Sequence, residues 1–382
     1  MIKSILDNDF YSFTQQQFIF NEYFYNVNAK YEFKCRNKGI DFSPYFEEIR
    51  EKILLLKTLK VKYREMEFLK NQYLFKNKYL EFFENYNNGI NDIKVELDKN
   101  NNLKIDIEGS WLGTIMLEVP ILAIVNEIYF KDKKHDFSLG MEKLKEKVDL
   151  IKNIPDFKFA DFGTRRRLSY GWQEKVIKYL KNNCSNNFIG TSNVHFANKY
   201  NLKPIGTMSH QLFMAHQALV RPEDSQKIAL EKWIKEFDGK LGVALSDTVG
   251  IDAFLRDFGF ILATLYSGIR QDSGDPSEIA EKVIKHYENL NINPKTKTIV
   301  FSDGLNFPLA IKLHKKFKEK INVLFGIGTD LTGAFQHEPL QIVIKMVECN
   351  GKPVAKISEA RGKTMCKDPL YMEYLKQVFN IK

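Results

Sequence analysis

Arginine is scarce in this chain: only ten of its 57 basic residues are Arg, and the rest are Lys. Its placement therefore carries information. Arg165, Arg166 and Arg167 stand together after the apolar run that ends in FADFG (159–163), and Arg270 lies inside GIRQDSGD (268–275). An arginine at a strand end suits fork-like recognition of a carboxylate or phosphate, which singles out Arg165 and Arg270. In a triple Arg, a solvated surface role covers at least one member. Asp272, Asp275 and Asp303 recur beside glycines at similar positions. Carboxylates there can hold Mg2+, accept sugar hydroxyls or stabilise developing positive charge. Asp275 has a structural role instead, as N-cap of a helix opened by Pro276 with Glu278 completing a capping-box-like pattern. Gly326 and Gly328 in FGIGTDL suit a loop whose N–H groups approach a phosphate, although a tight turn also needs glycine. His210 follows GTMS and opens a helical pattern, so it is either a cap-region residue or a catalytic nucleophile or acid/base. His216 is six positions on and faces elsewhere, which argues against a shared metal.

These residues need a scaffold. From about Phe157 short apolar runs end in a small or acidic residue and are followed by helical patterns. The run ends are FADFG, FIGTSN (188–193), IGTMSH (205–210), VALSDT (243–248), GIRQDSGD, IVFSDG (299–304) and FGIGTD (325–330). Seven βα-like units predict parallel strands with helical crossovers, and in an α/β barrel the strand ends share the mouth that carries the chemistry. The first part reads differently. EEIREKILLLKTLKVKYREMEFLK gives long amphipathic stretches, and DIKVELDKNNNLKIDIEG alternates on both sides of Lys99 to Asn102, a β-hairpin signal. An apolar run at 340–349 precedes a Gly/Pro turn and suits a return to the first domain. The expected fold is an irregular TIM-like α/β barrel over 136–339, beside an α+β domain built from 1–135 and completed by 340–382.

Composition sets limits. A chain of 382 residues with 44% hydrophobic content can bury a sizeable core. The net charge of +9 is spread as lysine and lacks the Arg-rich patch or module signature of a nucleic-acid binder. An anionic small substrate explains it as well. Four cysteines with no CxxC pair read as free thiols in a reducing compartment. No signal-peptide pattern and no run of about 20 apolar residues occurs, so a cytoplasmic protein without membrane segments is expected.

LDNDFYSFTQQQ, FADFGTRRRLS, FIGTSNVHFA, GTMSHQLFMAHQ, DAFLRDFG, GIRQDSGDP, FSDGL, FGIGTDLT and PLQIVIKMVECNGKPVAKIS together resemble the nicotinate phosphoribosyltransferase family, in family order from residue 6 to 358. The resemblance implies an irregular barrel and a homodimer with shared active sites. It implies a ligase-class, Mg2+-dependent reaction: the ring nitrogen of nicotinate displaces pyrophosphate from 5-phosphoribosyl 1-pyrophosphate, coupled to ATP hydrolysis through a phosphohistidine. Carried over residue by residue, His210 is the phosphorylated histidine. Phe162 stacks the pyridine and Arg165 pairs with its carboxylate. Asp9 and Tyr11 approach from the neighbouring subunit. Arg270 and Asp272 hold pyrophosphate, with Mg2+, and ribose; Asp303, Gly304, Gly326 and Gly328 line the phosphoribosyl pocket.

A nicotinamide-using relative is the nearest rival. It carries an Asp where FIGTSN has Ser192, and an acid there would repel a carboxylate, so Ser192 favours nicotinate. A quinolinate enzyme would call for more basic residues at the mouth. The paired-acid and Thr-Gly loop of the other main phosphoribosyltransferase class is missing from the sequence.

Overall fold

The alternation on either side of Lys99 to Asn102 folds as read. In the computed structural model, which describes residues 1–86, 92–358 and 364–381, β2 (Asp92–Leu97) and β3 (Leu103–Ser110) pair antiparallel from Asp92↔Glu108 to Leu97↔Leu103. Ile93, Val95, Ile105 and Ile107 turn into the core, as the two-residue period requires. Asp98 fixes the turn by accepting from the amides of Asn100 (2.8 Å) and Asn102 (3.0 Å), while Asn101 takes a left-handed φ of 60°. β1 (Asn28–Cys35) pairs antiparallel on the other edge of β3.

The amphipathic stretch before the hairpin is broken rather than continuous. One helix ends at Leu55 and the next begins at Tyr63. The Thr58 hydroxyl bonds back to Leu55 O at 2.8 Å, Leu59 turns extended, and Glu65 restarts a helix by accepting from the Lys62 amide at 2.8 Å. Side chains that compete for the backbone override the apolar period here.

The chain divides into two compact units, Met1–Gly206 with Ile327–Lys345, and Thr207–Gly326 with Met346–Lys382. The first unit holds the hairpin sheet, the helix Glu118–Lys131, buried along nearly all its length, and a parallel pair, β4 (Phe159–Asp161) and β5 (Phe188–Thr191). The crossover helix Tyr170–Asn183 between them is capped by Ser169, whose hydroxyl accepts from Trp172 N at 3.1 Å.

In the second unit β6 (Val243–Leu245), β7 (Gly268–Gln271), β8 (Thr298–Phe301) and β9 (Asn322–Ile327) run side by side and parallel. Helices cross over between them. The best-marked start holds: Asp275 accepts from Ser277 N and Glu278 N, each at 2.8 Å, and Pro276 is the first helical residue. β10 (Ile342–Cys349) turns into β11 (Lys352–Pro353) through Asn350 and Gly351, whose φ values of 48° and 75° are those of a tight hairpin turn.

The architecture is thus mixed α/β, with a parallel and an antiparallel sheet. Six of the seven expected run ends follow strands. The exception is IGTMSH: only a bridge between Thr191 and Pro204 precedes it, and Pro204 has no N–H with which to extend a ladder. Among the described residues no helix is long and apolar enough to cross a membrane.

Candidate active site

In the first unit the chain leaves β4 at a buried Asp161. Its Oδ1 accepts from Gly163 N at 2.8 Å; its Oδ2 accepts from Thr191 Oγ1 at 2.7 Å and Gln173 Nε2 at 2.9 Å. Burial pushes Asp161 up to about 6, since these neutral donors only partly offset desolvation. Phe162 is half-buried and donates its amide to Ile327 O at 2.8 Å. Gly328 lies directly behind it: a Cβ there would stand 2.9 Å from Phe162 O. In this unit, close backbone packing is what excludes a side chain at Gly328.

Arg165, in the short turn Thr164–Arg166, is the partly exposed member of a polar group. Its Nη1 donates to Glu118 Oε1 at 3.4 Å, and its Nε lies 3.6 Å from Asp9 Oδ2. The other Glu118 oxygen accepts from Tyr11 Oη at 3.0 Å, and Lys345 Nζ lies 3.9 Å from Oε1. Ser192 Oγ donates to Asp9 Oδ1 at 2.7 Å, and Phe10 N donates to Ser192 O at 2.7 Å. Burial raises Asp9 above the ordinary carboxylate range and pushes Tyr11 far above its usual one.

Asp9 and Tyr11 meet Ser192, Arg165 and Glu118 of their own chain. One sequence expectation changes here: serine at 192 does not leave the place free of acid, because the Asp9 carboxyl is bonded to it. The triple Arg also splits. Arg166 reaches Ile342 O at 3.3 Å, whereas Arg167 is fully buried in a bidentate pair with Asp7 (2.7 and 2.9 Å) and a bond to Glu127 (2.8 Å). Asp330, whose sequence gave no role, anchors Lys147 by an ion pair of 3.0 Å.

The second unit assembles a different site. His210 is the first residue of the helix His210–Leu219, with Ser209 at the N-cap. Its Nε2 lies 2.9 Å from Asp247 Oδ1, 2.8 Å from Lys356 Nζ and 3.7 Å from Asp272 Oδ2. Nε2 cannot donate to Asp247 and accept from Lys356 at once. Because Lys356 also donates to Asp247 Oδ2 at 2.8 Å, a proton on Nε2 pointing at Asp247 leaves all three groups satisfied. Ser273 Oγ donates to the same carboxylate at 2.7 Å. Burial alone would raise Asp247, but its pairing with His210 and the Lys356 ammonium holds it well below the usual range.

Asp272 accepts from Ser302 Oγ at 2.7 Å and is likewise lowered, with Arg270 the strongest influence opposing burial. The Nε of Arg270 is buried without a hydrogen-bond partner among the described residues, a donor suited to an anionic ligand. Asp303 is half-buried after β8, Gly304 is exposed with φ 58°, and Gly326 lies within β9. His216 is accounted for by its own helix, since its Nδ1 bonds Leu212 O at 2.7 Å.

Nitrogen and oxygen atoms of His210, Asp247 and Asp272 lie within 4.8 Å of one another, close enough to share a cation. The Lys356 ammonium already supplies positive charge to His210 and Asp247, so those two fit a metal poorly. Asp272, with 26% of its side chain exposed, fits as the oxygen ligand of a hard ion that keeps most of its waters.

Asp247 and Lys356 had no role from sequence, although each sits in a quoted segment, VALSDT and VECNGKPVAKIS. Glu118 left no such signal.

A buried histidine braced by a carboxylate and an ammonium, in a parallel α/β unit, is an arrangement able to serve an enzyme of the group-transfer class. The chain belongs to the nicotinate phosphoribosyltransferase (NAPRTase) family: the family model matches residues 157–382 and its N-terminal domain model matches 6–126. It is 44% identical to the nicotinate phosphoribosyltransferase of Ralstonia nicotianae, over 100% of both chains. Among solved structures it is similar to the nicotinate phosphoribosyltransferase of Vibrio cholerae (TM-score 0.94, 38% identity, covering 100% of this chain and 95% of that one). The enzyme of the same name from Porphyromonas gingivalis gives a TM-score of 0.94 at 31% identity, covering both chains fully.

Proposed function

We propose that the protein transfers the phosphoribosyl group of 5-phosphoribosyl 1-pyrophosphate to nicotinate, coupled to ATP hydrolysis through phosphorylated His210. Family membership supports the transfer. The observation that carries the coupling is the His210–Asp247–Lys356 cluster at a helix N-terminus.

Asp247 supplies the partner that such a histidine needs. It holds the Nε2–H tautomer, so the other ring nitrogen carries the lone pair that attacks the γ-phosphorus of ATP. The P–O bond to ADP breaks as the N–P bond forms, and water later takes the phosphoryl group. Lys356 and the helix N-terminus favour the anion formed. In the transfer step the bond from ribose to pyrophosphate loosens first, leaving positive charge on the sugar. Asp272 and Asp303 offset that charge, and the buried guanidinium of Arg270 attracts the departing pyrophosphate. Mg2+, when bound at Asp272, would neutralise pyrophosphate oxygens. On the base side, Phe162 stacks the pyridine and Arg165 pairs with its carboxylate. Preference for nicotinate therefore rests on Arg165, since Asp9 places an acid beside Ser192.

Assays with nicotinate, nicotinamide and quinolinate, each with and without ATP, test this reading. Turnover of nicotinate stimulated by ATP is the expected result. Equal use of nicotinate and nicotinamide, or no response to ATP, would contradict it.

A further inference from the structure

We propose that Glu118 is a positioning residue for the base pocket, holding the Arg165 guanidinium and the Tyr11 hydroxyl in one fixed arrangement. The inference rests on the reading that Arg165 meets the carboxylate of nicotinate.

Glu118 is the first residue of the helix Glu118–Lys131, where a carboxylate is favoured by the helix dipole, and it is nearly fully buried. Its two oxygens do different work. Oε2 accepts from Tyr11 Oη at 3.0 Å, and Oε1 accepts from Arg165 Nη1 at 3.4 Å, with Lys345 Nζ 3.9 Å away. Arg165 and Tyr11 lie far apart in sequence, and this carboxylate is the group that joins them. The helix itself packs on the Thr164–Arg166 turn, and Asn126 donates to Arg166 O at 3.2 Å and Arg167 O at 2.8 Å.

The two arms differ in strength. The Tyr11 hydrogen bond is buried on both sides and charge-assisted, which makes it the stronger. The side chain of Arg165 is 40% exposed, so its pairing with Glu118 adds little stability. The value of that arm is orientation: a guanidinium held on one edge presents a fixed fork to a planar carboxylate.

Glu118→Gln separates the arms. An amide whose oxygen accepts from Tyr11 turns its NH2 group toward the Arg165 donor. Turned the other way it keeps Arg165 only on a neutral oxygen and can still donate to the Tyr11 hydroxyl, so either orientation weakens the hold on Arg165. Tyr11→Phe removes the tyrosine arm and leaves the carboxylate to Arg165. For Glu118→Gln we expect KM for nicotinate to rise at least about tenfold, kcat to stay within about threefold, and KM for 5-phosphoribosyl 1-pyrophosphate to hold. Preference for nicotinate over nicotinamide should fall in parallel, because only nicotinate uses the fork. Tyr11→Phe should raise KM for both bases alike. An unchanged nicotinate KM in a folded Glu118→Gln enzyme overturns the proposal. So does a similar loss for both substrates with a lowered melting temperature, which marks a purely structural role. Arg165→Ala is the control: if it raises nicotinate KM and Glu118→Gln does not, this inference alone falls. If Arg165→Ala has no effect, the underlying reading falls with it.

Discussion

Asp161 and Asp247 are both buried carboxylates at strand ends, one in each unit, yet their acidities move in opposite directions. Burial pushes Asp161 up to about 6, because its partners are a hydroxyl, an amide and a backbone N–H. Burial also acts on Asp247, but His210 and Lys356 stand against it and hold it well below the ordinary range. The unit is not the cause. Asp7, in the first unit with Asp161, is lowered because Arg167 is its companion. What separates the cases is whether the buried partners carry charge. Neutral donors thus surround Asp161, while charged partners gather around Asp247, where phosphoryl chemistry is proposed.

Removing the Lys356 cation should break that contrast most severely. Lys356→Met takes the ammonium away from the buried Asp247 carboxylate, and breaking a buried pair costs about 3–5 kcal/mol. Asp247 has a lowered folded pKa, so its stabilising effect is present above its unfolded value and lost as pH falls through the folded one. In the variant that loss moves to higher pH. Denaturant unfolding at several pH values should show a less stable protein that fails earlier on acidification; unfolding curves matching the wild type would count against the role given to Lys356.

Asp161 tests the other side, with the opposite sign. Its raised folded pKa means the native state keeps a proton that the unfolded chain has released, so wild-type stability falls as pH rises from about 4 to 6. The loss amounts to at most about 3 kcal/mol. Asp161→Asn cannot titrate. The stability difference between wild type and Asn variant should therefore shift in favour of the variant across that window, and a difference independent of pH would show that Asp161 is not so perturbed.

The smallest effect belongs to Asp275, which touches neither site. Asp275→Ala should lower stability by about 1 kcal/mol through the lost helix cap and leave turnover unchanged. A drop in kcat would assign it to the chemistry after all.

What was legible in the sequence was local. The cap at Asp275, the hairpin around Asp98 and the strand ends bearing Arg270 and Asp272 follow from neighbours a few positions apart. Proline 204 defeated the strand expected before GTMSH, since a hydrophobic run says nothing about a missing N–H. The charged partners were harder to see. Lys356 lies 146 positions from His210, Asp9 lies 183 from Ser192, and Glu118 lies 107 from Tyr11. Such pairs leave no periodic trace, and Glu118 is set in an apolar run that reads as core. Resemblance to the family supplied Phe162 and the specific roles expected of His210 and Arg165, but neither Asp247 nor Glu118.

The proposed division between base recognition in the first unit and ATP coupling in the second is tested most directly on His210→Ala. Wild type and variant are incubated with ATP labelled in the γ-phosphate, and acid-labile protein phosphate is measured beside nicotinate and nicotinamide turnover. Phosphate is expected on the wild type and none on His210→Ala. The variant should keep slow, ATP-independent synthesis with an unaltered preference for nicotinate. Stoichiometric phosphate on His210→Ala, or loss of base preference in that variant, would contradict that division.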